Sequence, residues 1–127
     1  MRRPVASAVL SGLLFLTACG EGYERIRNFT PPPTPASLVL GEMRFLGHCA
    51  RCHGIHAIGT DSGPPLLHRV YRSAHHGDAA FELAVRTGVR AHHWRFGDMP
   101  PQPQVTHEDV RAITAYVRWL QELRGIR

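Results

Sequence analysis

The chain has 127 residues, of which 43% are hydrophobic and 20% are charged, and its formal net charge is +5. A chain of this length and composition forms one small folded domain. This length and composition, together with the presence of only three cysteines, exclude a multidomain enzyme, a polytopic membrane protein and a disulfide-dense mini-protein. The positive charge comes from arginine without any lysine, and it is too weak and scattered to indicate nucleic-acid binding.

Residues 1–18 have the layout of an export signal. Arg2 and Arg3 precede an uncharged apolar run at 5–16, which is shorter than the roughly 20 residues of a membrane-spanning helix. The run ends in Leu-Thr-Ala-Cys, which resembles the cleavage box of bacterial lipoproteins and implies that Cys19 becomes the acylated first residue of the mature chain. A buried core helix and ordinary secretory cleavage are the alternatives, although Leu16 is large for the latter.

Residues 19–36 are interpreted as a lipid anchor followed by a tether. Four prolines fall within 31–35, and such a stretch favours polyproline II and acts as a semi-rigid spacer. A disordered leader is the alternative. The folded domain is then predicted over 37–124, and a core this small benefits from a cofactor or a metal.

Three helices are predicted in this domain, without any strand-like alternation. The first has Thr34 as its N-cap and continues to about residue 50. The second covers 78–87, with Asp78 as its cap and Gly88 as its stop. The third follows Thr106, which forms a capping-box pattern with Asp109, and it carries an apolar stripe to residue 123. The loops between the helices are long, and such loops in a small domain usually bind something.

The segment Cys49-Ala50-Arg51-Cys52-His53 has the spacing of a covalent haem c attachment motif. At this spacing each thiol reaches one vinyl edge of the same porphyrin, and the histidine follows as a ligand of the iron. Three other functions use a Cys-x-x-Cys pair. A zinc site needs further ligands, for which only scattered histidines such as His56 are available. A thioredoxin-like motif needs a βαβ context, and a disulfide across two residues constrains little.

Met99 is the candidate for the second axial ligand of the iron. It lies in a loop between Gly97 and Pro100, where a methionine is badly placed for a helix core and well placed to point inward. Met43, in contrast, falls within a predicted helix. His92 and His93 are rivals for the role, since histidine is also an accepted axial ligand.

These residues together resemble a class I cytochrome c domain over about 38–121. The resemblance implies an all-α fold of three main helices around one covalently bound haem c. It implies thioether bonds to Cys49 and Cys52 and axial ligation by His53 and Met99. The matching segments are Gly41-x-x-x-Phe45-x-x-x-Cys49, Cys49 to Gly54, Gly63-Pro64-Pro65-Leu66, the helix at 81–88, Gly97-Asp98-Met99-Pro100 and the aromatic segment Tyr116-Val117-x-Trp119-Leu120.

Two further roles are implied by the resemblance. The Pro64 carbonyl accepts a hydrogen bond from the proximal His53, and Gly41 permits a close crossing of the first and last helices. Trp94 has two alternative roles: its indole N–H can donate to a haem propionate, or its ring can pack over the haem edge.

The function implied is a monohaem electron carrier without catalytic residues or a small-molecule substrate. Its iron is six-coordinate and its partners are redox proteins. The lipid anchor places it on the periplasmic side of a membrane, and Gly20 after the acylated cysteine weakly favours the outer membrane. A haem protein with an open or labile sixth site, acting as a peroxidase or in a gas- or metal-responsive role, is an alternative. Another is a metal-handling protein that uses the histidine pairs at 75–76 and 92–93.

Overall fold

A computed structural model describes residues 26–127. The predicted export signal, Cys19 and the first part of the tether lie outside these residues. The described chain forms four α-helices, with 3₁₀ turns at Ala36–Leu38, Ile55–Ala57 and Arg69–Tyr71. The helices are α1 (Val39–His48), α2 (Ala50–His53), α3 (Asp78–Thr87) and α4 (His107–Leu123).

Between residues 26 and 127 the chain forms no β-strand, only two isolated bridges that pair Thr60 with Gly63 and Val89 with Met99. The helical class predicted from the sequence is therefore present. None of the helices in this part of the chain is both long and apolar enough to cross a membrane.

Two helix boundaries differ from the prediction. The first helix starts later than predicted, since Pro35 is extended and a 3₁₀ turn precedes α1, which ends at His48, close to the predicted end. Thr34 therefore does not cap it. Asp78 lies in the first turn of α3 and Gly77 is the N-cap, because the Asp78 carboxylate accepts a hydrogen bond from Arg118 Nε at 2.9 Å instead.

The core lies where α1 crosses α4. Phe45 of α1 packs against Tyr116 of α4, with 5.7 Å between the ring centroids. The two helices are close because Gly41 has no side chain: a Cβ atom there would lie 2.2 Å from the Ala112 carbonyl oxygen. An ion pair between Arg44 and Asp109, at 2.9 Å, links the same helices at the surface. Gly41 thus permits the close helix crossing that the family resemblance implied.

A buried polar side chain attaches the segment 66–78 to α4. Gln121 is 1% exposed, and its Nε2 donates to the carbonyl oxygens of Leu66 at 2.9 Å and Tyr71 at 3.2 Å. One turn earlier, the Arg118 guanidinium donates to the carbonyl oxygens of Tyr71 at 2.7 Å and His76 at 2.5 Å. The long loop before α3 is therefore fixed by α4, and the sequence analysis did not identify either residue.

The capping box at the start of α4 gives a first testable prediction. Thr106 Oγ1 accepts from the Asp109 N–H and the Asp109 carboxylate accepts from the Thr106 N–H, both at 3.1 Å. Thr106→Ala is expected to lower the free energy of unfolding by about 1 kcal/mol at neutral pH. Thr106→Ser keeps the hydroxyl and is the matched control, and chemical denaturation measures both.

The same box predicts the pH dependence of this effect. Hydrogen bonds from Thr106 hold the pKa of Asp109 below its usual value. Its stabilising contribution is therefore present above the pKa of an unfolded aspartate, and it is lost as the pH falls through the lower pKa of the folded state. The difference between wild type and Thr106→Ala is expected to shrink over that acidic range. A difference that grows on acidification contradicts the prediction.

Candidate functional site

The candidate site begins at the bend between α1 and α2. The Cys49 N–H closes α1 by donating to the Phe45 carbonyl at 2.8 Å, and the Cys49 carbonyl then accepts from the N–H groups of Cys52 and His53 at 3.1 and 2.9 Å. Residues three and four apart on a helical turn share a face. The two thiols and the imidazole therefore belong to one turn. Both cysteines are free, with Cys49 half-buried and Cys52 exposed.

His53 has the protonation state of a metal ligand. Its Nδ1 lies 2.9 Å from the Pro64 carbonyl oxygen, which can only accept, so Nδ1 carries the hydrogen. Burial lowers the pKa of His53, although the bond to Pro64 opposes this effect. The neutral ring therefore keeps its lone pair on Nε2, the nitrogen that remains available for a metal.

The segment 59–65 is packed tightly against the cysteine turn, and this packing positions Pro64. A Cβ atom on Gly63 would lie 2.7 Å from the Cys52 carbonyl oxygen. The same oxygen accepts from the Thr60 hydroxyl at 2.6 Å, and the His53 carbonyl accepts from the Gly59 N–H at 2.6 Å. These short contacts hold the Pro64 carbonyl beside the imidazole. Thr60 was not identified from the sequence.

The environment of the Cys49 thiol fits a covalent thioether better than a thiolate. Burial, with a smaller contribution from Cys52, raises the pKa of Cys49 to about 11. The thiol is therefore neutral at physiological pH and a poor nucleophile. A neutral thioether carries no charge that burial would penalise.

The zinc alternative lacks ligands in the part of the chain that the structure describes. No third histidine, cysteine or carboxylate there approaches both thiols closely enough to complete a metal site. The ring of His56, the scattered histidine considered for this role, has its Nδ1 3.5 Å from the Tyr116 hydroxyl on α4. A structural zinc site needs four ligands, so the cysteine pair does not form one with these residues.

Met99 lies in a loop that is anchored to the end of α3. Its N–H and carbonyl exchange two hydrogen bonds of 2.9 Å with Val89, and its side chain is half-buried. The Asp98 carboxylate accepts from the Ala91 N–H at 2.8 Å, which closes the loop from the other side. The backbone around Met99 is thus fixed in place.

Trp94 has a defined partner in the described chain. Its indole N–H donates to the Tyr71 hydroxyl at 3.1 Å, and its ring packs edge-on against His68 at 5.0 Å between centroids. Burial raises the pKa of Tyr71 to about 12, although the bond from Trp94 opposes this. Tyr71 is therefore a neutral phenol that accepts from Trp94 and keeps its own hydrogen for another acceptor.

The two histidine pairs, which are separate in sequence, come together in the structure. His75 Nε2 lies 3.4 Å from His93 Nε2, and both side chains are exposed. The His92 Nδ1 donates to the Arg90 carbonyl at 2.8 Å. The sequence showed both pairs as candidate metal ligands but did not indicate that they meet.

Comparison with known protein families identifies the family to which the cysteine turn and the surrounding helices belong. The family model described as Cytochrome c matches residues 38–121. The chain belongs to the cytochrome c family. The cofactor of this cytochrome is therefore covalently bound haem c, and the described helices are those of the small all-α class I fold. The neutral His53 and the free, half-buried Cys49 fit that cofactor.

A curated relative supports the same assignment. The cytochrome is 33% identical over 85 residues to the cbb3-type cytochrome c oxidase subunit CcoP of Rubrivivax gelatinosus. The match covers 65% of this chain and 26% of that subunit, so the chain spans about a quarter of the length of this relative. No solved structure gives a significant match.

Proposed function

We propose that this cytochrome carries single electrons between redox proteins, with its haem bound to Cys49 and Cys52 and its iron held by His53 and Met99. The observation that carries the proposal is the 2.9 Å contact between His53 Nδ1 and the Pro64 carbonyl. It leaves Nε2 as the ligand nitrogen on the turn that also bears the two thiols. When bound, the haem supplies a centre that alternates between ferric and ferrous states.

The residues around the site are suited to reversible electron transfer. The Pro64 carbonyl fixes the orientation of the His53 ring and makes Nε2 a better electron donor. The Met99 thioether is a soft ligand, and histidine–methionine ligation raises the reduction potential. Because two backbone hydrogen bonds hold Met99, we expect the ligand geometry to change little between the two redox states.

Trp94 and Tyr71 are proposed to act as a pair at the haem edge. The indole N–H is already donated to the Tyr71 hydroxyl, so the phenol hydrogen is the group that remains for a haem propionate. In this arrangement Trp94 orients Tyr71 and covers the edge of the ring system, while Tyr71 supplies the hydrogen bond.

The proposed location is the periplasmic side of a membrane. The support is the lipoprotein-type cleavage box ending at Cys19, with Gly20 after it favouring the outer membrane. The relative from Rubrivivax gelatinosus is named as an oxidase subunit, which supports a membrane-associated redox protein as donor or acceptor. An acylated tether stabilises attachment by about 0.8 kcal/mol per buried CH₂, and it raises the effective concentration of the carrier near such a partner.

Carbon monoxide distinguishes the electron carrier from a haem protein with an open sixth site. The haem-loaded, ferrous protein is expected to show no spectral change under carbon monoxide, because both axial positions are occupied. Met99→Ala opens one position and is expected to bind the gas. Binding by the unmodified protein as strong as by Met99→Ala contradicts the proposal and favours the open-site alternative.

A further inference from the structure

Three histidines from the two loops that flank α3 form a compact group. His75 and His76 precede the helix and His93 follows it. One nitrogen from each ring lies within 4.8 Å of the nitrogens of the other two. The side chains of His75 and His93 are exposed and that of His76 is partly buried, so an ion from solvent can reach all three.

The spacing of the nitrogens matches that of ligands around one ion. Two imidazole nitrogens bound to a tetrahedral zinc at about 2.0–2.1 Å lie roughly 3.3–3.4 Å apart. The Nε2 atoms of His75 and His93 are 3.4 Å apart. Small rotations of exposed side chains are enough to bring the third nitrogen to the same distance.

His76 is held ready for this role by its surroundings. Its Nδ1 donates to the Val70 carbonyl at 2.8 Å, which leaves the lone pair on Nε2 and supplies the outer hydrogen bond common to metal-ligating histidines. Its own carbonyl accepts from Arg118 of α4 at 2.5 Å. The ring of Tyr71 packs against it, with 5.2 Å between the centroids. Little ordering of this residue is therefore needed when a metal binds.

We propose that His75, His76 and His93 form a reversible binding site for one divalent transition-metal ion, Zn²⁺ or Cu²⁺. Three imidazole nitrogens suit these borderline cations, and the exposure of the group leaves the remaining coordination position to water. His92 is next to His93 in sequence, but its nitrogens are not part of the group of three. None of the three histidines is assigned to the proposed haem site, and Tyr71, which packs against His76, contacts both.

Zinc titration of the untagged, haem-loaded protein tests the site. Calorimetry with Zn²⁺ alone is expected to show one equivalent bound. Changing a residue that only supports a metal ligand typically costs about 10–100-fold in affinity, so loss of a ligand in His75→Ala or His93→Ala is expected to weaken binding at least about tenfold. His92→Ala is the matched control and is expected to keep wild-type affinity.

Each outcome decides for or against the site. An unchanged haem spectrum in all variants shows that they are folded. Zinc X-ray absorption of the wild type is expected to show nitrogen ligands at about 2.0–2.1 Å. The absence of saturable zinc binding by the wild type overturns the proposal. So does wild-type affinity in His93→Ala, or a loss in His92→Ala as large as that in His93→Ala.

Discussion

Gly41→Ala is expected to lower the free energy of unfolding by about 3 kcal/mol or more, the upper range for overpacking a core. The new Cβ atom would lie 2.2 Å from the Ala112 carbonyl oxygen and 2.9 Å from the Tyr116 Cβ. Neither atom is the end of a flexible side chain, so α1 and α4 must move apart. Alanine has a higher helix propensity than glycine by about 1 kcal/mol, so the measured loss understates the cost of the clash.

Gly47→Ala is the matched control for this prediction. Gly47 lies in the same helix, and a Cβ atom there meets nothing within 4 Å. This variant is expected to gain about 0.5–1 kcal/mol. Denaturant unfolding of both haem-loaded variants measures the difference. If Gly41→Ala is as stable as Gly47→Ala, the prediction is contradicted, because α1 and α4 would then not need a glycine at position 41 to cross closely.

The second large effect is expected at Gln121. Gln121→Leu replaces the amide by an apolar side chain of broadly similar size and removes the hydrogen bonds to the Leu66 and Tyr71 carbonyls. It also removes the acceptor for Arg118, which donates to Gln121 Oε1 at 2.7 Å. A buried polar group left without a partner costs about 1–3 kcal/mol, so we expect a loss of about 2 kcal/mol.

Hydrogen exchange separates this mechanism from general destabilisation. In Gln121→Leu the amides of the segment 66–76 are expected to exchange faster than in wild type, whereas those of α1 keep their relative protection. Gln104 is exposed, and Gln104→Leu, the control, is expected to change stability by no more than about 0.5 kcal/mol. If the two variants are equally stable, Gln121 does not stabilise the attachment of the segment 66–78 to α4.

The parts of this structure that depend on local signals could be predicted from the sequence. The capping box at Thr106 starts α4 as predicted, and Gly88, with φ at +75°, ends α3. The close contact at Gly41 was implied by the family resemblance. The start of the first helix was a wrong prediction, because Thr34 does not cap it and a 3₁₀ turn at Ala36–Leu38 precedes α1.

Contacts between residues distant in sequence could not be predicted. Arg118 is 40 residues from Asp78 and 42 from His76, and no sequence pattern links an arginine to backbone carbonyls so far away. Gln121 gave a weak signal, since it is a polar residue four positions after Val117 on the apolar stripe. The meeting of His75 with His93 depends on how two loops fold around α3, which periodicity does not encode.

The ferric absorption spectrum of the haem-loaded protein tests the central claim most directly, since it reports which atoms ligate the iron. Wild type is expected to show the weak long-wavelength band of sulfur bound to ferric haem, and Met99→Ala to lack it. Met43→Ala is the control, because Met43 is 63% exposed on α1, and it is expected to retain the band. A wild-type spectrum without the band, or a Met99→Ala spectrum that retains it, contradicts ligation by His53 and Met99.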